Sequence, residues 1–217
     1  MRFFLIVLVL FLTGQPAFAQ TPVLTKAAVY LPVLQTKINN YWPELTMPHI
    51  IAGQIEQESQ WNPKATLKTS RELGRGLAQM TVTPKFNIYK EAVSMKALKG
   101  WDWQKDPYNP SNQLTFAVLT NRSNFKQVTK WFVNDTERFA GALIAYNAGM
   151  GTVLQRRALA IRQGKNNGKW FGGLENIRLP YEKRLLYGRD LGLTRNEYPV
   201  VIFKRAEKYR SYFAKKK

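Results

Sequence analysis

The chain contains no cysteine. Disulfides, thiolate metal sites and a cysteine nucleophile are therefore excluded. Histidine is almost as scarce, with His49 alone in 217 residues. A zinc site built from several histidines cannot form, and a Ser-His-Asp triad would have to use His49. Its position gives His49 an ordinary place in the first turn of a helix, with no catalytic role. Acidic residues are also few, 14 against 33 lysines and arginines, for a formal charge of +19. Such a surface seeks an anionic partner: nucleic acid, acidic lipid or an acidic cell-wall polymer. Strand patterns are scarce, and there is no internal repeat or long linker.

What is present suits one globular domain. Apolar residues make up 45% of the chain and aromatics 13%, enough for a substantial core. At the N-terminus, Met1-Arg2 precedes an apolar run from Phe3 to Leu12. Thr13-Gly14-Gln15-Pro16 and Ala17-Phe18-Ala19 follow. One positive charge, a short apolar run, a breaker and an A-x-A site form the pattern of a Sec-type signal peptide over 1–19, cleaved after Ala19. The run is short for a bilayer, so no membrane span is expected after cleavage. An uncleaved tether is the alternative. Residues 20–217 then form the folded domain, mainly α with little or no sheet.

Helices are expected over 20–45, interrupted at or continuing through Pro32, and from near Thr46 to Trp61-Asn62-Pro63, with Pro48 in the first turn. Residues 64–76 carry Lys64, Lys68, Arg71 and Arg75 beside Gly74 and Gly76, and read as a basic loop. Gly76-Leu-Ala-Gln-Met-Thr81 reads as a turn whose backbone can approach a ligand closely. A short helix is expected over 88–98. Trp101 and Trp103 follow in a loop, suited either to core burial or to stacking on sugar rings. Further helices are expected over 112–130, 135–148 and 152–162. Phe139, Leu143 and Tyr146 form one stripe that ends before the C-cap Gly149. Thr194-Arg-Asn-Glu197 matches a capping box that starts the last helix, with Tyr198, Ile202, Tyr209 and Phe213 on its buried face.

The stretch Ile51-Ala-Gly-Gln-Ile-Glu-Gln-Glu-Ser-Gln-Trp-Asn-Pro63 stands apart from the rest. On a helical wheel Ile55 lies roughly 40° and Glu58 roughly 20° from Ile51. Glu58 therefore sits on the apolar stripe, with Glu56 well to its side. A carboxylate on an apolar face is paired, strained or functional. Desolvation favours its protonated form, which suits a general acid.

Three ordered motifs carry a resemblance. They are Glu58-Ser-Gln-Trp-Asn-Pro-Lys-Ala65; Ser70 with Gly76-Leu-Ala-Gln-Met80; and Ala145-Tyr-Asn-Ala-Gly149. Together they resemble the soluble lytic transglycosylase family of lysozyme-like proteins, and Tyr198 in Glu197-Tyr-Pro-Val resembles a late tyrosine of that family. The resemblance implies a lysozyme-like fold and cleavage of the β-1,4 bond between N-acetylmuramic acid and N-acetylglucosamine in peptidoglycan. It makes Glu58 the single catalytic acid and base. Ser59, Ser70, Gln79, Tyr146, Asn147 and Tyr198 would line the substrate site. No metal or organic cofactor is implied. The implied partner is the glycan strand, reached by an exported, monomeric protein in the periplasm or cell wall and retained by its basic surface, with no specific nucleic acid.

One segment is similar instead to phage-type muramidases. Thr69-Ser-Arg-Glu72 offers Glu72 as a second carboxylate that could activate water, giving hydrolysis and a reducing end. The plainer reading pairs Glu72 with Arg71 or Arg75 on the surface. A basic wall-binding module without catalysis is the remaining alternative.

Overall fold

The computed structural model describes residues 20–186 and 188–214. The expected signal peptide lies outside the described residues. The architecture is mainly α. Helix α1 (Gln20–Tyr41) runs without interruption through Pro32, and α2 (Pro48–Ser59) follows. A four-stranded antiparallel sheet comes next, in the order β1 (Thr66–Lys68), β2 (Leu73–Arg75), β3 (Met80–Thr83) and β4 (Phe86–Asn87). Then come α3 (Ile88–Ser94), α4 (Pro110–Thr129), α5 (Asp135–Ala148) and α6 (Met150–Arg162). A two-stranded pair, β5 (Leu185–Leu186) and β6 (Arg189–Asp190), leads into α7 (Leu191–Ala206) and α8 (Arg210–Ala214).

Contacts divide the chain into two compact units. Among the described residues, those within 120–201 form one, and 20–119 together with 202–214 form the other. The core of the latter contains Leu34, Ile38, Ile50, Ile51, Ile55, Trp61 and Leu114, all buried. In the former, Phe139, Leu143, Val153 and Trp170 are fully buried. The stripe Phe139, Leu143, Tyr146 thus faces inward as its spacing requires, and Gly149 (φ 80°) ends α5. Asn134 caps that helix by accepting a hydrogen bond from the Glu137 amide at 3.0 Å.

Two local expectations are corrected. The basic stretch 64–76 is a hairpin, with Lys68 opposite Leu73 and Thr66 opposite Arg75. Its turn is closed by Thr69, whose amide donates to the Glu72 carbonyl while its hydroxyl accepts from the Arg71 and Glu72 amides. These strands are too short and too mixed in charge to show an alternating pattern. Thr194–Glu197 likewise caps nothing. Asp190 accepts from the Leu193 amide at 2.8 Å, so α7 starts at Leu191 and Thr194 lies within it, donating to the Asp190 carbonyl.

Of the two tryptophans, Trp101 takes the core fate: it is buried and its indole N–H donates to the Asp106 carbonyl at 2.9 Å. Trp103 stacks on Tyr89, ring centroids 5.1 Å apart and planes 17° from parallel.

Candidate active site

Every residue of α2 from His49 to Ser59 is buried. Burial lowers the pKa of His49, which favours its neutral form and fits a packing role. Glu58 lies in the last turn, 9% exposed, where the carbonyl-rich end of a helix disfavours negative charge. Ser59 is buried beside it, and its hydroxyl donates to the Ile55 carbonyl at 3.0 Å. The helix then ends on two consecutive left-handed residues, Gln60 (φ 50°) and Trp61 (φ 58°). Such geometry costs about 1–2 kcal/mol per non-glycine residue and persists only where packing enforces it. Here Trp61 is fully buried and its indole N–H donates to the Tyr209 hydroxyl at 2.8 Å.

Glu56 keeps its place beside the apolar stripe, yet it is more deeply buried than Glu58, at 1% exposed. The polar side of α2 is covered by the chain's C-terminal segment, which supplies Glu56 with partners. Arg205 Nη1 and Lys208 Nζ donate to Glu56 Oε1 at 2.7 and 2.9 Å, and the Tyr209 hydroxyl donates to Oε2. Arg205 Nε also donates to Gln57 Oε1 at 2.7 Å. Burial, then the bond to Glu56, raise the Tyr209 pKa, so the phenol stays protonated as a donor. Tyr209 is legible in the sequence as a core residue. Its role as a tether of α2 is not, because no local spacing links it to Glu56.

Approach of the two segments is close enough to demand glycine. A Cβ at Gly53 would lie 2.7 Å from the Ile202 carbonyl oxygen and 2.8 Å from the Ala206 Cβ. Gly53→Ala should therefore destabilise the protein by about 1–3 kcal/mol. Urea denaturation checks this, and an unchanged midpoint would contradict the packing described. Glu56→Gln leaves Arg205 and Lys208 without a counter-charge and should cost about 2 kcal/mol. Thermal unfolding of this variant, with Tyr209→Phe alongside, measures how much the tether holds.

Beyond the hairpin, the Gly76 to Thr81 turn is held from two sides. Gly76 adopts φ 71°, and a Cβ there would collide with the Gln113 side-chain amide. Gln113 is fully buried; its Oε1 accepts from the Ala78 amide at 3.1 Å and its Nε2 donates to the Pro107 carbonyl at 2.7 Å. Sequence reasoning missed Gln113, which looks like any polar residue near a helix start. Gln79 is left-handed (φ 44°) and buried, and its side-chain amide donates to the Gly76 carbonyl at 3.1 Å. That bond shapes the turn.

The unit that holds Glu58 therefore also holds Ser59, Ser70, Glu72 and Gln79. Ser70 is exposed at the hairpin tip, whereas Glu72 is 8% exposed. Glu72 is thus not on the surface, where the plainer reading places it. Tyr146, Asn147 and Tyr198 belong to the other unit and are all buried, the first two in the last turn of α5 and the third in α7 before Pro199. Among the described residues no His, Cys, Asp and Glu cluster could hold a metal ion.

A mainly α fold with only small antiparallel sheets, and a buried glutamate in the last turn of α2, define a lysozyme-like domain. The model of the transglycosylase SLT domain matches residues 32–169, and the chain belongs to that family. The chain is 29% identical over 160 residues to a membrane-bound lytic murein transglycosylase F of Hahella chejuensis, covering 74% of this chain and 28% of the relative. Its counterpart in Haemophilus influenzae is 28% identical over 173 residues, 77% of this chain and 32% of the relative. A membrane-bound lytic murein transglycosylase C of Actinobacillus pleuropneumoniae is 29% identical over 133 residues, 60% of this chain and 33% of the relative. The chain thus spans about a third of the length of the curated relatives it matches.

Proposed function

We propose that the protein is a lytic transglycosylase that cleaves the β-1,4 bond between N-acetylmuramic acid and N-acetylglucosamine in peptidoglycan, with Glu58 as its catalytic acid and base. The observation that carries this reading is the burial of Glu58 at the rigidly terminated end of α2, inside the segment matched by the family model. The names of the relatives support it. Protonated Glu58 gives its proton to the glycosidic oxygen, and the N-acetylglucosamine leaves with its hydroxyl restored. The oxocarbenium-like sugar is stabilised by the substrate's own acetamido group. Glu58, now a carboxylate, takes the proton of the muramic C6 hydroxyl as that oxygen bonds to C1. A 1,6-anhydro end forms and no water is consumed. Ser59, Ser70, Gln79, Tyr146, Asn147 and Tyr198 are assigned to substrate binding.

The protein acts as a monomer, without metal or organic cofactor, after Sec-dependent export to the periplasm or wall. Without Arg2, which leaves with residues 1–19, its formal charge of +18 (32 basic against 14 acidic residues) holds it to an anionic envelope. Among the described residues no helix is long and apolar enough to cross a membrane. Release of soluble muropeptides from purified peptidoglycan tests the reading. Binding to the polymer with no release would leave a wall-binding protein and end the enzymatic proposal.

Burial of Glu72 favours a second reading, in which it directs a water and the reaction is hydrolysis. In that case Glu72→Gln removes activity. Under the transglycosylase reading this variant keeps it.

A further inference from the structure

The outer face of α6 and the Trp131 corner form a surface that the Glu58 chemistry does not use. On α6, Leu154, Arg157 and Ile161 fall at i, i+3 and i+7 and share one side of the helix. Leu154 is 45% and Ile161 51% exposed, although α6 turns its opposite side, with the fully buried Thr152 and Arg156, inward. Arg157 lies between the two aliphatic side chains and reaches the Trp131 ring, its guanidinium carbon 5.7 Å from the centroid. Lys130 approaches the same ring at 5.3 Å, and Arg157 Nε makes no hydrogen bond. Val133, 59% exposed, adjoins Trp131 through Gly168. Neither 120–134 nor 149–173, the segments that build this surface, contains an aspartate or glutamate.

We propose that this face docks on an anionic phospholipid bilayer, with α6 lying in the plane of the headgroups. Exposed aliphatic groups, an indole and flanking cations without acids are the composition by which a helix lies in a membrane interface. Indoles settle at headgroup level, with the ring apolar and the N–H wet. A glycan polymer would use the cations and leave Leu154 and Ile161 without partners. A protein partner would need an acidic apolar groove. The inference rests on this surface alone and is independent of the reading of Glu58.

The absence of cysteine makes a site-specific test available in the full chain. Ile161→Cys carries an environment-sensitive thiol label, and Val200→Cys, on α7 and 51% exposed, serves as the control. On vesicles of phosphatidylglycerol and phosphatidylethanolamine, the label at 161 should shift its emission to the blue while the label at 200 does not. Because each label reports only its own site, binding through other parts of the chain does not mimic this result. Arg157→Gln with Arg162→Gln should weaken the vesicle response of the 161 label about 25-fold, since each cation near an anionic surface contributes about fivefold. The proposal is overturned by equal shifts at both sites, by no shift at 161, or by a shift that ignores the arginine substitutions. It is equally overturned if the 161 label responds to purified peptidoglycan or to a protein partner and not to vesicles.

Discussion

Glu58→Gln should abolish the release of soluble fragments from peptidoglycan while leaving the fold intact. Glutamine keeps the volume and a hydrogen-bonding end but carries no transferable proton. In the proposed mechanism one group acts first as acid and then as base, so a single substitution removes both steps. A positioned acid or base contributes about 10²–10⁴-fold to rate, and a loss of at least about 10³-fold is expected. Glu58 is buried, so thermal unfolding must accompany the assay. An inactive variant with the wild-type midpoint places the loss in the chemistry. Substantial remaining lysis would remove Glu58 from the catalytic role.

The second large effect concerns stability. Glu182 is fully buried between two arginines that are themselves buried, with Arg156 Nη2 at 3.0 Å and Arg195 Nη1 at 2.8 Å from its Oε1. Its other oxygen accepts from the Leu179 amide at 2.9 Å. Arg156 also donates to Asn196 at 2.7 Å and lies over the Trp170 ring, 5.1 Å from the centroid. Removing the shared anion leaves two buried cations without a counter-charge. Glu182→Gln should cost about 3–5 kcal/mol, a large fraction of an ordinary domain's stability. The unfolding midpoint should fall by roughly 10 °C.

The same cluster sets a pH dependence. Burial pushes the Glu182 carboxyl up, but the Arg156 charge and the bonds from Arg156, Leu179 and Arg195 outweigh it, and its pKa lies below the usual glutamate value. A depressed folded-state value means stability that is present at neutral pH and lost as pH falls below the ordinary glutamate range. Glu182→Gln should flatten that acid limb. A variant as stable as wild type, with the same limb, would contradict the ion cluster's role.

How far the sequence carried the reading differs from element to element. The helices were legible where apolar side chains recur on one face, as with Phe139, Leu143 and Tyr146, and where a glycine or proline marks an end. The hairpin at 66–75 was not, because its strands hold together by backbone pairing and a Thr69 turn. The Thr194–Glu197 pattern misled because Asp190, further upstream, had already taken the cap. Glu58 stood out because a helical wheel exposes an acid on an apolar stripe. Glu56 did not, since its burial depends on Arg205, Lys208 and Tyr209, 149 to 153 residues further along the chain. Gln113 was hidden for the same reason: its bond to Ala78 joins a helix start to a turn with no pattern linking them.

Central to the account is a single carboxylate whose reaction consumes no water. Digestion of purified peptidoglycan in ¹⁸O-labelled water, followed by mass spectrometry of the muropeptide ends, tests this most directly. The account predicts 1,6-anhydro-muramic ends without ¹⁸O. Reducing ends that carry one ¹⁸O would contradict it and assign hydrolysis.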